Sequence, residues 1–305
     1  MTTANDYYRK QFGGKVYRIS LNGGMTCPNR DGTLDTRGCI FCSRGGSGDF
    51  AASAALSVSE QLAQAKKKVA AKLPKTQNNF AGYLTYFQAF TNTYAPVDYL
   101  ERLFTEAISD PEVVGLSVAT RPDCLSEECV LLLSELNRQK PVYVELGLQT
   151  IHEASAAFIR RGYSLPVYDA AVQRLQAAGL SVITHIILGL PKETASDMAA
   201  TVTHVIQGSV HGIKLQLLHI LNDTDLADYY QTADKTEFAC MEQDAYLQIL
   251  CDLLALIPED TVLYRITGDG PKRTLLAPLW SADKKNVLNS FHREFERRNS
   301  CNPKC

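Results

Sequence analysis

No stretch of this chain approaches the roughly twenty consecutive apolar residues that a membrane-spanning helix requires. The amino-terminal run MTTANDYYRKQF is polar and lacks the apolar core of a secretory signal, so a cytoplasmic protein without a membrane partner is expected. No apolar run is followed by a G-x-G-x-x-G fingerprint or a P-loop lysine motif, the marks of dinucleotide and nucleoside-triphosphate folds. Internal repeats and low-complexity linkers are missing too. Without a secretory signal, a chain with 9 cysteines is expected to keep its thiols reduced and to use some as metal ligands, not as a disulfide framework.

Three of those cysteines stand together. Cys27, Cys39 and Cys42 form a C-x11-C-x2-C pattern inside the Gly/Asp/Asn/Arg-rich stretch GGMTCPNRDGTLDTRGCIFCSRGGSGDF. Three thiolates are one ligand short of a closed four-cysteine site, so a metal bound there keeps an open position. That suits a [4Fe-4S] cluster whose fourth iron takes the amino and carboxylate groups of S-adenosylmethionine (SAM). A bare C-x2-C pair also fits zinc ligands or redox thiols. A zinc ribbon needs a second pair, and the other cysteines supply none. Cys124, Cys129, Cys240 and Cys251 lie in or beside apolar helical stretches, while Cys301 and Cys305 sit in a polar tail and are expected to be dispensable.

At 305 residues, 45% hydrophobic, the chain can bury one large core, and one barrel-sized domain fits as well as two smaller ones. The net charge of −2 is unevenly spread: residues 1–46 hold 7 Lys/Arg against 3 Asp/Glu, and residues 265–305 hold 9 against 4. Two basic ends flank an acidic middle. They form either one surface for a polyanion or solvated terminal segments.

Apolar runs at 16–23, 80–87, 113–120, 142–149, 180–189 and 212–220 predict buried strands. Helical stretches are expected at about 57–73, 97–109, 126–139, 153–161, 167–178, 194–207 and 242–256. Such βα alternation demands a parallel sheet with helices outside, doubly wound or closed into a full or partial barrel. The cysteine loop after the first strand favours the barrel, where chemistry gathers at the carboxyl ends of the strands. TVLYRIT (261–267) predicts one more strand, and a basic helix over about 283–298 ends the chain. Residues 1–258 are therefore expected to form the barrel, with a cluster loop at 24–48, and residues 259–305 an extension packed on it.

The motifs TCPNRDG...GCIFC, YLTYFQAFTNTYAP, SVATRPDCL, VELGLQT followed by RRGYS, HIILGLPKET, KLQLLHIL and RITGDGPKR...LLAPLWS run in order along nearly the whole chain. This string resembles the YhcC/YtqA-type radical SAM proteins, relatives of the Elongator catalytic subunit and of oxygen-independent coproporphyrinogen dehydrogenases. The resemblance implies an α/β fold, a partial (β/α)6 TIM-like radical SAM barrel with a short C-terminal strand/helix extension. It implies a [4Fe-4S] cluster on Cys27, Cys39 and Cys42 that reduces SAM to a 5′-deoxyadenosyl radical, which takes hydrogen from a substrate.

It also implies site residues. Phe41 stands where an aromatic residue turns its backbone to adenine, and Gln88 and Asn92 where relatives hold the methionine amine. Arg161 occupies the place of an arginine against the SAM carboxylate, Gln149 that of a glutamine near the ribose, and Gly189 that of a small residue at the adenine. Relatives often carry glutamate where this chain has Ala119, so ribose contacts are expected from Thr120, Arg121 or Asp123 instead. His185 reads as a hydrogen-bonded core histidine. Glu145 points into the barrel or out of it depending on register, and if inward is a polar group near the substrate.

The implied substrate is a tRNA wobble uridine, converted from the 5-carboxymethylaminomethyl to the 5-aminomethyl form. Arg30, Arg37, Arg44, Arg265, Lys272, Arg273, Lys284 and Lys285 are the candidate RNA contacts. An electron donor such as flavodoxin or ferredoxin and a monomeric state are expected. A small metabolite or tetrapyrrole as substrate, or an iron-sulfur or heme-handling role without catalysis, are the other readings.

Overall fold

β-branched and aromatic segments form the strands because their side chains suit a pleated, covered surface, and the amphipathic segments between them form the helices. The computed structural model describes residues 1–48, 51–70, 79–234, 237–268 and 270–301. In chain order the elements begin with β1 (Thr2–Thr3), α1 (Ala4–Phe12), β2 (Lys15–Leu21), α2 (Val58–Ala70), β3 (Phe80–Phe87), α3 (Val97–Ser109) and β4 (Val113–Thr120). There follow α4 (Glu127–Asn137), β5 (Val142–Gln149), α5 (Glu153–Phe158), α6 (Leu165–Ala177), β6 (Ser181–Leu188), α7 (Ala195–Gln207) and β7 (Gly212–Leu217). The chain closes with β8 (Ile220–Leu221), α8 (Asp225–Thr232), α9 (Gln243–Leu254), β9 (Val262–Arg265), β10 (Leu275–Ala277) and α10 (Lys284–Cys301).

Eight strands form one curled sheet in the order β1-β9-β7-β6-β5-β4-β3-β2, every pair parallel, making a half-barrel with helices outside. Outward residues such as Leu116, Val144, Ile186 and Leu215 pack against Phe104, Leu133, Leu175 and Val202 of the helices. This shell is the main core, each side chain contributing about 1.5–3 kcal/mol by burial. The barrel's lower end is closed by α1, which packs against both β2 and β9. Its Tyr8 ring lies 6.0 Å from the rings of both Tyr143 and Tyr264, an aromatic floor under the barrel. Over the mouth, β8 and β10 pair antiparallel. Ile220, Leu218, Leu190 and Phe238 form a second apolar cluster there, which Phe41 joins.

Two features lie outside the expected outline. The strand after residue 259 belongs to the main sheet, pairing with β7 on one side and β1 on the other, so the barrel runs on past a boundary at 258. The polar amino terminus is a built helix, with a Thr3/Asp6 capping box at its start and Gly13 in the left-handed conformation at its end. Few apolar residues mark it, because only one face meets the barrel. Residues 71–73 of the first expected helix and Cys305 lie outside the described residues.

Candidate active site

The segment between β2 and α2 carries the three cysteines and is held by its own polar groups. Arg30 donates from Nη2 to the carbonyls of Cys42 (2.9 Å) and Ser43 (2.7 Å), and the Cys42 N–H donates to the Cys39 carbonyl at 3.0 Å. Asn29 Nδ2 donates to the Arg160 carbonyl at 2.7 Å and lies 3.4 Å from Cys39 Sγ. These bonds turn Cys27, Cys39 and Cys42 onto one cavity of about 380 Å³ at the carboxyl ends of the strands, a volume typical of small-molecule sites. Burial, and then the neighbouring Cys42, push the Cys39 thiol up to about 12. Thiolates are stable there only beside a strong cation, which bound iron supplies. Among the described residues no three His, Cys, Asp or Glu side chains converge closely enough to hold a single metal ion. Three thiols on one cavity are the donor set that would hold a [4Fe-4S] cluster.

Strand ends form the cavity wall. Gln88, Ala119, Thr120, Arg121, Gly147, Gln149 and Arg161 line it with Phe41. The β5–β6 register slips between Gly147 and Gln149, and this bulge sets Gln149 at φ 70°, with its buried Oε1 lacking a hydrogen-bond partner. A side chain at Gly147 would meet Gln149 Nε2 at 2.8 Å, so the glycine makes room for that amide. Arg161 donates to the carbonyls of Thr150 (2.6 Å), Tyr163 (2.8 Å) and Leu148 (3.3 Å) and to Glu153 (3.1 Å), which commits four of its five N–H groups to bracing the end of β5. Arg121 clasps Asp123 through two bonds of 2.9 and 2.7 Å, and both arginines face the Tyr163 ring.

Three expected contacts stand back from the cavity. Asn92 is buried, donating to the Phe87 and Ala119 carbonyls, with its Oδ1 unpartnered. Asp123 is taken up by Arg121. Gly189, at φ 87°, has Met241 as its close neighbour, whose Cε would lie 2.6 Å from an added Cβ.

Below this wall the barrel interior is polar. Glu145 points inward with none of its side chain exposed. Its Oε2 accepts from Lys214 and from His185 Nε2 (2.7 Å), and its Oε1 accepts from Ser117 at 2.6 Å. Arg18 lies over the Tyr86 ring at 4.6 Å, with Nη1 3.9 Å from Glu145. Burial works to raise the Glu145 carboxyl, but Lys214, Arg18 and His185 hold it well below the ordinary range. Burial first, then the charge of Lys214, pushes His185 down to about 4. His185 is therefore neutral, and Gln216 donating to its Nδ1 at 3.4 Å leaves the proton on Nε2.

His211, which contacts the Tyr264 hydroxyl at 2.9 Å under the floor, is pushed to about 4 by burial as well. Both histidines are neutral when folded and take up protons more readily when unfolded. Stability is thus expected to be full above about pH 6.5 and to fall as pH drops towards 4, by up to roughly 3 kcal/mol for each histidine. Urea unfolding at stepped pH measures this, and a flat profile between pH 7 and 5 would count against it.

Residues 36–205 match the model of the Radical SAM superfamily, and residues 210–297 match the Radical_SAM C-terminal domain. The chain belongs to the radical SAM superfamily. It is 43% identical over 298 residues to the uncharacterized protein YtqA of Bacillus subtilis, covering 98% of this chain and 90% of that one. To the protein YhcC of Escherichia coli it is 35% identical over 276 residues, with 90% and 85% covered. In fold it is similar to the Elp3 of Methanocaldococcus infernus at a TM-score of 0.66 and 16% identity, covering 93% of this chain and 63% of that one. The protein is a radical SAM enzyme, with a [4Fe-4S] cluster and SAM as its cofactors.

The lip of the radical SAM barrel fits those groups by its donor set: three thiols on one cavity and the unpartnered acceptor of Gln149 beside them. The candidate RNA contacts divide. Arg30 is spent on holding the cysteine loop, Arg37 pairs with Asp35, and Arg265 turns into the barrel and donates to Gln216 at 3.4 Å. Lys272, Arg273, Lys284 and Lys285 line one groove.

Arg18, Lys214, Ser117 and Tyr86 were not anticipated as site residues. A signal for them exists in the sequence: strands that read as buried on both faces each carry a polar residue at an inward position, as in VYRISL, VYVELGL, SVITHIIL and GIKLQL. A solid barrel core would place apolar residues there.

Proposed function

We propose that this radical SAM enzyme acts on tRNA, at the 5-carboxymethylaminomethyl arm of a wobble uridine, which it converts towards the 5-aminomethyl form. The observation that carries the reading is the continuity of a basic groove with the barrel mouth. Gly268, Gly270 and Pro271 line both the cavity and the groove holding Lys272, Arg273, Lys284 and Lys285. The backbone N–H of the exposed Arg44 donates to Asp223, another groove residue, at 3.1 Å, which joins the cysteine loop to the same rim. A polynucleotide following this rim would present one unstacked nucleotide to the cavity. The likeness to proteins named Elongator complex protein 3, 26% identical over 167 residues in Schizosaccharomyces pombe, supports the same substrate class.

When bound and reduced, the cluster supplies the electron that cleaves SAM to the hydrogen-abstracting radical. The chain's own groups orient and exclude water: Gln88 and Gln149 reach the cavity from the ends of β3 and β5, and Phe41, Ile159, Ile187 and Leu218 of the second apolar cluster line it.

Nucleoside mass spectrometry of tRNA from a strain lacking the protein is expected to show the carboxymethylaminomethyl form accumulating. In direct binding, added salt is expected to weaken the tRNA complex steeply. The double change Lys272→Glu and Arg273→Glu should weaken it further and lower the magnitude of the salt slope by about 2, one unit for each lost phosphate contact. Salt-insensitive binding would favour a small metabolite instead.

A further inference from the structure

In the run CPNRDG that follows the first cluster cysteine, Arg30 is spent on loop carbonyls, whereas its neighbour Asn29 turns towards a sulfur. Asn29 is 1% exposed. Its Nδ2 donates to the Arg160 carbonyl at 2.7 Å, and the second N–H has Cys39 Sγ and the Arg161 carbonyl before it, each at 3.4 Å. The Arg161 carbonyl already accepts from Arg121 Nη1 at 2.9 Å, so the sulfur has the greater need of that hydrogen. Two carbonyls beside one side-chain atom also fix it as the nitrogen, because an amide oxygen there would face acceptors alone.

Several features of the chain hold the amide in that place. The Gly38 N–H donates to the Asn29 carbonyl at 2.7 Å, which ties its backbone to the residue before Cys39. Arg160, whose carbonyl takes the first N–H, stands at φ 56°, a left-handed backbone that a long side chain adopts only where its surroundings impose it. Its guanidinium meets Asp225 of α8 at 2.6 Å, and the Leu226 N–H of the same helix donates to the Ile40 carbonyl at 2.9 Å. Gly162 stands close by at φ 82°, where an added Cβ would lie 2.7 Å from Asn29 Oδ1. The turn at 160–162 is thus shaped around the asparagine.

As a thiol, Cys39 donates its S–H to the Arg160 carbonyl at 3.6 Å. As a thiolate holding iron it has no proton and only accepts, so that carbonyl becomes a repelling neighbour. Asn29 meets both, giving one N–H to the carbonyl and the other to the sulfur. Hydrogen bonds to cluster sulfurs are among the means by which a protein sets a reduction potential, because they stabilise the negative charge that reduction adds. We propose that Asn29 is a positioning residue for electron entry, its side-chain N–H to the Cys39 thiolate raising the potential at which the cluster is reduced. It stands behind the cavity lining and acts through the cysteine.

The test uses the full chain, reconstituted anaerobically with iron and sulfide and kept free of SAM, whose amino nitrogen would add a signal of its own. Wild-type protein carrying the heavy nitrogen isotope in its asparagine side-chain amides is reduced to the paramagnetic state and measured by electron-nuclear hyperfine spectroscopy. A coupling from the labelled amide to the cluster is expected, together with a proton coupling that deuterated solvent removes. A purely structural asparagine would give neither. Absence of the nitrogen coupling in the wild-type protein overturns the proposal, whatever the variants do. Asn29→Leu keeps the volume and loses both N–H groups. Loaded with iron, this variant is expected to lose the coupling and to show an equilibrium constant for cluster reduction about tenfold lower, about 59 mV for one electron, in an EPR-monitored redox titration. A wild-type potential in fully loaded Asn29→Leu, or a coupling that survives the change, also overturns it. Should Asn29→Leu fail to fold or to hold iron, the wild-type coupling alone decides.

Discussion

Alanine in place of Cys27, Cys39 or Cys42 is expected to leave a folded chain that holds no cluster. Wild-type protein reconstituted anaerobically should carry about four irons per chain, and each single variant close to none. The three thiols reach the cavity from one loop whose shape is fixed by Arg30, Asn29 and backbone bonds, so the loop should outlast the loss of a ligand. Burial makes a two-thiolate remnant costly, because two negative charges would then share an enclosed site with less iron to offset them. Iron analysis and the visible absorption of the cluster measure the effect. Alanine at Cys301 and Cys305 together should retain full iron. Loss of iron in that variant would refute the assignment.

The second large effect concerns stability. Glu145→Leu leaves the Lys214 ammonium 1% exposed without its carboxylate, and leaves Arg18 and His185 facing an apolar group. Breaking a buried pair from one side costs about 3–5 kcal/mol. At about 2.1 cal/mol/K per residue, that corresponds to a fall in Tm of roughly 5–8 °C. The sign with pH follows from Lys214: its folded-state affinity for protons is depressed, so the deficit deepens as pH falls and eases as pH rises. The double variant Glu145→Leu with Lys214→Met should regain most of the loss, because an apolar pair of similar volume has no ion to desolvate. Calorimetry of the three proteins gives the answer. A Glu145→Leu protein as stable as wild type would show that the cluster of charges is not held as described.

Much of the barrel is legible without coordinates, because parallel strands covered by helices demand long β-branched runs, and six of these stand in order between amphipathic stretches. The helix α1 is not, since ANDYYRKQF has too few apolar residues to show a period. Its purpose, to close the barrel beneath β2 and β9, exists only when those two distant strands share one sheet. The same holds for the short strands β8 and β10, whose pairing joins residues more than fifty positions apart.

The sequence alone determined the cysteine triad, the order of βα units and the membership these carry, since all three are local patterns of residue type and spacing. Tertiary structure decided which polar side chains meet. Arg18, Ser117, Glu145, His185 and Lys214 come from β2, β4, β5, β6 and β7, and only parallel register at one level of the barrel makes them neighbours. It also decided which cations are spent and which face the cavity. An arginine in the sequence is one charge, whereas its worth at a site depends on the carbonyls and carboxylates that folding puts beside it: Arg161 and Arg30 brace the chain, and Arg18 is left facing the cavity.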